Sequence, residues 1–205
     1  MEPNQQTLIP TPIHHITALI LAGGQGSRMG GLDKGLLDFK GRPLVEYLIQ
    51  ALQAQSGQIL INANRNLSSY ATYGFPLIND ELENFQGPLA GIAAALQATR
   101  TPCLLTVPCD SPFVATDMAE RLYQTMQSQQ AELAVAHDGE RLHPIHALIP
   151  VRLLGSLHRY LASGERKVEK WYRQHQMAQV DFSDKAHLFR NINTLEQKQQ
   201  LEREE

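Results

Sequence analysis

The chain has 205 residues, 42% of them hydrophobic and 19% charged, with a net charge of −3. That composition describes one soluble globular domain with a sizeable core, and the charge argues against a nucleic-acid binder that works by bulk electrostatics. Cys103 and Cys109 are too few for a disulfide framework and read as reduced thiols of a cytosolic protein, and no apolar stretch reaches the length of a membrane span.

Residues 1–15 lack the basic start and apolar core of a signal peptide and read as a disordered arm, which leaves 16–205 as a single domain. Ile16–Leu21 is an apolar strand. Pro43 opens a helix that aligns Leu44, Val45, Leu48 and Leu52. Strands at Gln58–Asn62 and Phe75–Asn79 flank a short helix over Asn64–Tyr73. Gly87–Thr99 is a small-residue helix, followed by a strand over Pro102–Val107. Thr116 caps a helix to Gln127 with Ala119, Leu122, Tyr123 and Met126 facing inward. Strands follow at Glu132–Ala136 and Pro144–Ile149, then helices at Pro150–Ala162 and Arg166–Gln174. Val180–Phe182 and Phe189–Ile192 read as strands, and a polar helix starts near Thr194. This alternation predicts a three-layer, Rossmann-like α/β sandwich around a mostly parallel sheet. Ligands bind such sheets at the carboxyl ends of strands. That rule gathers Asn62, Asp80, Asp110 and the loop after the first strand on one rim.

That loop runs from Leu21 to Gly35 and holds six glycines, Arg28 and Lys34. Glycines allow close backbone approach to a ligand, and successive N–H groups form an anion-binding concavity. Two cations add charge where phosphates would sit, although Arg28 could equally make a structural ion pair. No Gly-Lys-Ser/Thr occurs, and Met29 stands where a dinucleotide fingerprint requires glycine, so neither common phosphate loop is present. Asp110 lies just past a buried strand in Val107-Pro-Cys-Asp-Ser-Pro-Phe113. A turn aspartate can cap its own backbone, but its place on the rim favours a metal ligand. Alone, Asp80 is a loop or cap residue and Asn62 is ambiguous. Gln86–Gly91 opens the small-residue helix, either for close packing or as a wall for a base. His143 and His146, three apart beside Pro144 in an extended segment, point to opposite sides, and no further ligands cluster nearby in the sequence, so zinc is not expected. Trp171 reads as core or edge packing rather than as a stacking platform for a ligand. Thr194 and Gln197 form a capping box.

Leu21-Ala-Gly-Gly24, Arg28-Met-Gly-Gly31, Asp33-Lys-Gly-Leu36 and the Pro-Cys-Asp-Ser-Pro segment resemble the molybdenum cofactor guanylyltransferase family. The resemblance runs from about Ile16 to Thr194 and departs at Leu195-Glu-Gln197, where the family carries Pro-Glu-Asp or Pro-Glu-Glu. It implies transfer of GMP from GTP to the terminal phosphate of molybdopterin or the molybdenum cofactor, with pyrophosphate leaving. It implies that Asp110 binds Mg²⁺, that Leu21, Ala22, Gly23, Asn62 and Asp80 contact the guanine nucleotide, and that Lys34 and Arg28 meet the triphosphate. By the same resemblance Arg141, Arg166, Lys167, Asn191 and Asn193 face the second substrate, although a solvated face suits those three cations as well. Molybdenum-insertion proteins and target molybdoenzymes are the implied protein partners, and the cytoplasm the implied location. Cytidylyltransferases and sugar-phosphate nucleotidyltransferases on this scaffold favour Leu-Ala-Ala-Gly in place of Leu21-Ala-Gly-Gly24. A non-catalytic GTP-binding cofactor carrier is the reading from another class.

Overall fold

A computed structural model of the chain describes residues 13–24, 31–80 and 87–204. Seven strands form one sheet: β1 (Ile16–Leu21), β4 (Gln58–Asn62), β5 (Leu77–Ile78), β6 (Cys103–Pro108), β7 (Leu133–His137), β8 (Leu142–Pro150) and β9 (Met177–Asp181). Their spatial order is β5-β4-β1-β6-β8-β7-β9. β1 pairs in parallel with both β4 and β6, whereas β8 runs antiparallel to both β6 and β7. A hairpin of β2 (Asp38–Phe39) and β3 (Arg42–Pro43) stands apart from the sheet. Its tight turn places Lys40 and Gly41 at positive φ, 51° and 81°, as a two-residue hairpin loop requires.

Successive strand residues alternate between two cores because a strand repeats every two residues. Ile16, Ala18 and Ile20 pack with Val45, Leu48 and Leu52 of α1 (Leu44–Gln53) and Leu122 and Met126 of α4 (Met118–Ser128). Leu19, Leu60 and Leu104 meet the other face. That face is covered by α3 (Pro88–Ala98), α5 (Leu154–Ala162) and α6 (Val168–Tyr172). Buried on both sides, these strands read as nearly continuous apolar runs. Each fully buried Leu or Ile contributes about 1.5–3 kcal/mol relative to exposure. The short helix α2 (Leu67–Ala71) follows β4, and α7 (Leu195–Glu204) seats Leu201 against Phe39, Leu44 and Ile192.

Several boundaries differ from those the sequence suggests. Pro43 precedes α1 as its cap, and α4 follows Asp117 rather than Thr116. Pro150 ends β8, and a 3-10 turn over Val151–Leu153 leads into α5. The segment expected to be a strand over Phe189–Ile192 is none: Phe189 ends a 3-10 stretch and Ile192 lies in coil. Its apolar residues are three apart and enter different cores, so no alternating ladder forms. The arm expected over 1–15 falls largely outside the described residues, and Ile13–His15 form a 3-10 turn whose Ile13 carbonyl accepts from the Gly57 N–H at 2.9 Å.

Candidate active site

The carboxyl ends of β1, β4 and β6 meet where the connections diverge to opposite sides of β1. The Ala22 N–H donates to the Asn62 carbonyl at 2.8 Å, and the Cys109 N–H to the Leu21 carbonyl at 3.0 Å. Leu21, Gly23, Gly24, Asn62, Asp80 and Pro88 line an open cleft of about 400 Å³ here, with Ile145 and Pro108 on its far wall. One polar network lines it, and a second lies just past the end of β6.

The first network orders Asp80. Asn62 Nδ2 donates to Asp80 Oδ1 at 2.9 Å and Asn64 Nδ2 to Asp80 Oδ2 at 2.8 Å. The Asp80 N–H returns to Asn64 Oδ1 at 2.9 Å, and Asn64 Nδ2 also reaches the Gly23 carbonyl at 3.2 Å. Asp80 is thereby fixed from both sides while its remaining acceptor capacity faces the cleft. Sequence reasoning singled out Asn62 and Asp80 but missed Asn64, which the Asn-Ala-Asn spacing had put within reach. Gly91 of α3 packs against this network; a Cβ there would sit 2.5 Å from Asn62 Oδ1 and 2.9 Å from Leu21 Cδ2. Gly91→Ala is therefore expected to push Asn62 out of register. If this wall holds a substrate, its KM should rise by about tenfold or more with a smaller change in kcat, since about 1.4 kcal/mol of binding is a factor of ten; steady-state kinetics check it.

The second network joins three distant segments. Lys34 leaves a 3-10 turn over Lys34–Leu36 that Asp33 caps through the Gly35 N–H. Its Nζ donates to Asp110 Oδ2 at 2.8 Å and to Asn193 Oδ1 at 2.6 Å. Asp110 sits between Pro108 and Pro112, and its carbonyl accepts from the Ile192 N–H at 2.8 Å. Asn191 bonds the neighbouring Ser111 hydroxyl. At 18% and 17% side-chain exposure, Lys34 and Asp110 are half-sheltered. Beneath them, burial first and the Asp110 charge second push the Cys109 thiol far above its ordinary range; Cys103 is pushed up to about 11 by burial. Neither thiol is a nucleophile at neutral pH.

The remaining sequence-selected residues disperse. Arg28 lies outside the described residues. Lys167 borders a second cavity of about 720 Å³ with Val168 and Arg173, which shares Ile145 with the first. Arg166 donates to the Leu161 and Glu165 carbonyls at 2.8 and 2.7 Å. Arg141 is largely exposed at the β7–β8 turn and pairs with Asp138. The capping box forms one step displaced: Thr194 Oγ1 accepts from the Gln197 N–H, while Gln197 Oε1 accepts from the Asn193 N–H.

His143 and His146 do not point to opposite sides. Between Val135 and Ala136 of β7 the pairing on β8 jumps from Ala147 to His143, so Pro144–His146 are extra residues in a bulge. The bulge resets the alternation and brings the rings to 5.8 Å, both against Phe189. The geometric reason for setting aside a zinc pair therefore fails; among the described residues no group of three His, Cys, Asp or Glu could hold a metal. Burial, with the nearby His143, depresses the His146 pKa to about 3, and its Nε2 has no hydrogen-bond partner among the described residues. The unfolded chain binds this proton at the ordinary 6.5, so stability is complete above that pH and falls as pH drops toward 3. The slope from this site is at most about 1.4 kcal/mol per pH unit. Chemical denaturation of His146→Phe across this window should show a flatter acid limb than the parent.

The chain is a nucleotidyltransferase by its family match, and it carries a glycine-rich segment after β1, an ordered amide–carboxylate wall past β4 and a lysine–aspartate pair just past β6. The chain belongs to the molybdenum cofactor guanylyltransferase family: a family model described as the MobA-like NTP transferase domain matches residues 18–180. It is 48% identical over 186 residues to a molybdenum cofactor guanylyltransferase of Shewanella frigidimarina, covering 91% of this chain and 95% of that one. It is 46% identical over 187 residues to one from Cupriavidus metallidurans, covering 89% and 92%. The fold is similar, with a TM-score of 0.77 and 21% identity, to molybdopterin-guanine dinucleotide biosynthesis protein A of Archaeoglobus fulgidus, over 91% of this chain and 97% of that one.

Proposed function

We propose that the protein transfers GMP from GTP to the terminal phosphate of molybdopterin or the molybdenum cofactor, forming a guanine dinucleotide and pyrophosphate. The observation that carries this reading is Lys34 held between Asp110 and Asn193 just past the carboxyl end of β6, whose Pro108 lines the same cleft as Asn62 and Asp80. Guanine presents adjacent donors, and Asp80, with Asn62, is a fixed acceptor for them. Backbone of Leu21, Ala22 and Gly23 then borders the nucleotide.

An oxygen of the acceptor phosphate attacks the α-phosphorus. The new P–O bond forms as the α–β anhydride breaks, and pyrophosphate departs with the electron pair. Phosphate is already a competent nucleophile, so catalysis is positioning and charge neutralisation. Asp110 and Asn193 occupy two of the three Lys34 N–H donors, leaving one for a phosphate oxygen. Arg28 is assigned to the same charge. The donors suit Mg²⁺, since the aspartate and the Asn193 amide are hard oxygens and such ions take one or two carboxylates plus substrate phosphates. When bound through Asp110, Mg²⁺ supplies charge neutralisation across the phosphate oxygens. Asn191, Asn193 and Lys167 flank the acceptor's side, with Arg141 and Arg166 further candidates. No helix among the described residues is long and apolar enough to cross a membrane, and we place the reaction in the cytoplasm, with molybdenum-insertion proteins and molybdoenzymes as the protein partners.

The test is Mg²⁺-dependent pyrophosphate release with GTP, CTP or ATP, with and without molybdopterin. Release with GTP that requires molybdopterin is expected. Preference for CTP would make it a cytidylyltransferase, and GTP binding without turnover a carrier.

A further inference from the structure

Arg65 takes no part in the reaction described above, yet its guanidinium is committed to backbone. Nη1 donates to the Gly31 carbonyl at 2.6 Å and Nη2 to the Leu32 carbonyl at 2.8 Å. Its Nε lies 3.7 Å from Asp33 Oδ2 and is buried without a hydrogen-bond partner among the described residues. Asp33, with 5% side-chain exposure, is itself held from three more directions. The Tyr70 hydroxyl donates to Oδ1 at 2.6 Å, the Gly35 N–H to Oδ1 at 3.2 Å and Asn66 Nδ2 to Oδ2 at 3.0 Å. Tyr70 is fully buried, and burial together with Asp33 keeps its hydroxyl a neutral donor.

Two consequences follow from peptide geometry. In a trans peptide the N–H points away from the C=O it shares a plane with. Arg65 draws the Gly31 and Leu32 carbonyls to its side, so the Leu32 and Asp33 N–H groups face the opposite side. Successive N–H groups presented together are what an anion-binding concavity needs. The same clamp fixes Asp33, the residue from which Lys34 departs toward Asp110. The chain segment that supplies Arg65 also supplies Asn64, which holds the Gly23 carbonyl. One short stretch after β4 therefore grips the glycine-rich segment where it begins and where it ends.

We infer that Arg65 is a positioning residue: with Asp33 and Tyr70 it locks the end of the glycine-rich segment so that its N–H groups and Lys34 address the triphosphate, without touching the nucleotide itself. This rests on the reading of the cleft as a GTP site. A guanidinium with two parallel donors suits two consecutive carbonyls better than a lysine's single ammonium.

The experiment measures dissociation constants for GTP and for guanosine, together with Tm, in the parent, Arg65→Ala, Arg65→Lys and Tyr70→Phe. Arg65→Ala is expected to weaken GTP by about tenfold or more, leave guanosine within about twofold, and keep Tm near the parent value, because the lost order lies at the phosphate end. Arg65→Lys should recover only part of the loss, free guanidinium ion should restore GTP affinity to Arg65→Ala, and Tyr70→Phe should shift GTP in the same direction by less. Equal weakening of GTP and guanosine in step with a fall in Tm would show a merely structural residue and overturn the inference. So would unchanged GTP affinity in Arg65→Ala. Full recovery in Arg65→Lys would point instead to direct charge contact with phosphate and also overturn it. If the parent protein itself fails to bind GTP, the reading of the site fails first, and that outcome is distinct from the others.

Discussion

Asp110→Asn and Lys34→Met each lower GMP transfer by about 10²–10³-fold, the loss typical when one preorganised electrostatic contact to developing charge is removed. Asp110→Asn keeps the size of the side chain and leaves a carbonyl oxygen for Lys34, so only the charge, and with it the proposed metal affinity, is lost. Lys34→Met keeps the length of the aliphatic stem and removes the cation between Asp110 and Asn193. Stability changes little, because a half-sheltered pair contributes about 1 kcal/mol or less. The double variant should lose much less than the product of the two single losses, since in the proposed mechanism both residues act on the same phosphates. Pyrophosphate release gives the rates and thermal melting the control. A single variant within about tenfold of the parent, far short of the loss typical for such a contact, would remove the Lys34–Asp110 pair from the mechanism.

The sheet was legible where strands are buried on both faces. Ile16–Leu21 and Gln58–Asn62 carry apolar side chains at nearly every position, and the structure returns both with those bounds. The β2–β3 hairpin was not legible, since two-residue strands have no period to detect; the Lys40-Gly41 turn was its only trace. The bulge in β8 was invisible for a related reason. Alternation predicts opposite sides for His143 and His146 only while pairing is regular, and the irregularity is set by β7 and by Pro144, which lacks an N–H to join a ladder. The sheet-end rule puts Asn62, Asp80 and Asp110 on the carboxyl-end rim because each ends or follows a strand, and the structure has them there. It could not reach the partner of Lys34. Asn193 is 159 residues away, in a coil brought back over Asp110 by the Ile192 N–H and by Leu201 of α7 packing on Phe39 and Leu44. Nor could it find Arg65, whose partners are backbone carbonyls that carry no sequence signature.

Trp171→Ala should destabilise the fold by about 3–5 kcal/mol, the range for removing a large aromatic from a close-packed core. Trp171 has no exposed surface and packs with Leu157, Tyr160, Leu161 and Tyr172 beneath the sheet. Its ring lies 5.4 Å from Tyr172 and 5.5 Å from His175. Its Nε1–H donates to the Ser156 hydroxyl at 3.2 Å, and that hydroxyl also bonds His175 Nε2 at 2.9 Å. The substitution therefore leaves a cavity and breaks a small partly buried polar chain together. A tryptophan without exposed surface cannot stack on an incoming pterin, so the folded fraction of Trp171→Ala should keep a kcat within about twofold of the parent, as expected when no transition-state contact is lost. Denaturant titration measures the first quantity, and activity normalised to folded protein the second. A large fall in normalised kcat with stability intact would assign Trp171 to the substrate rather than to the core.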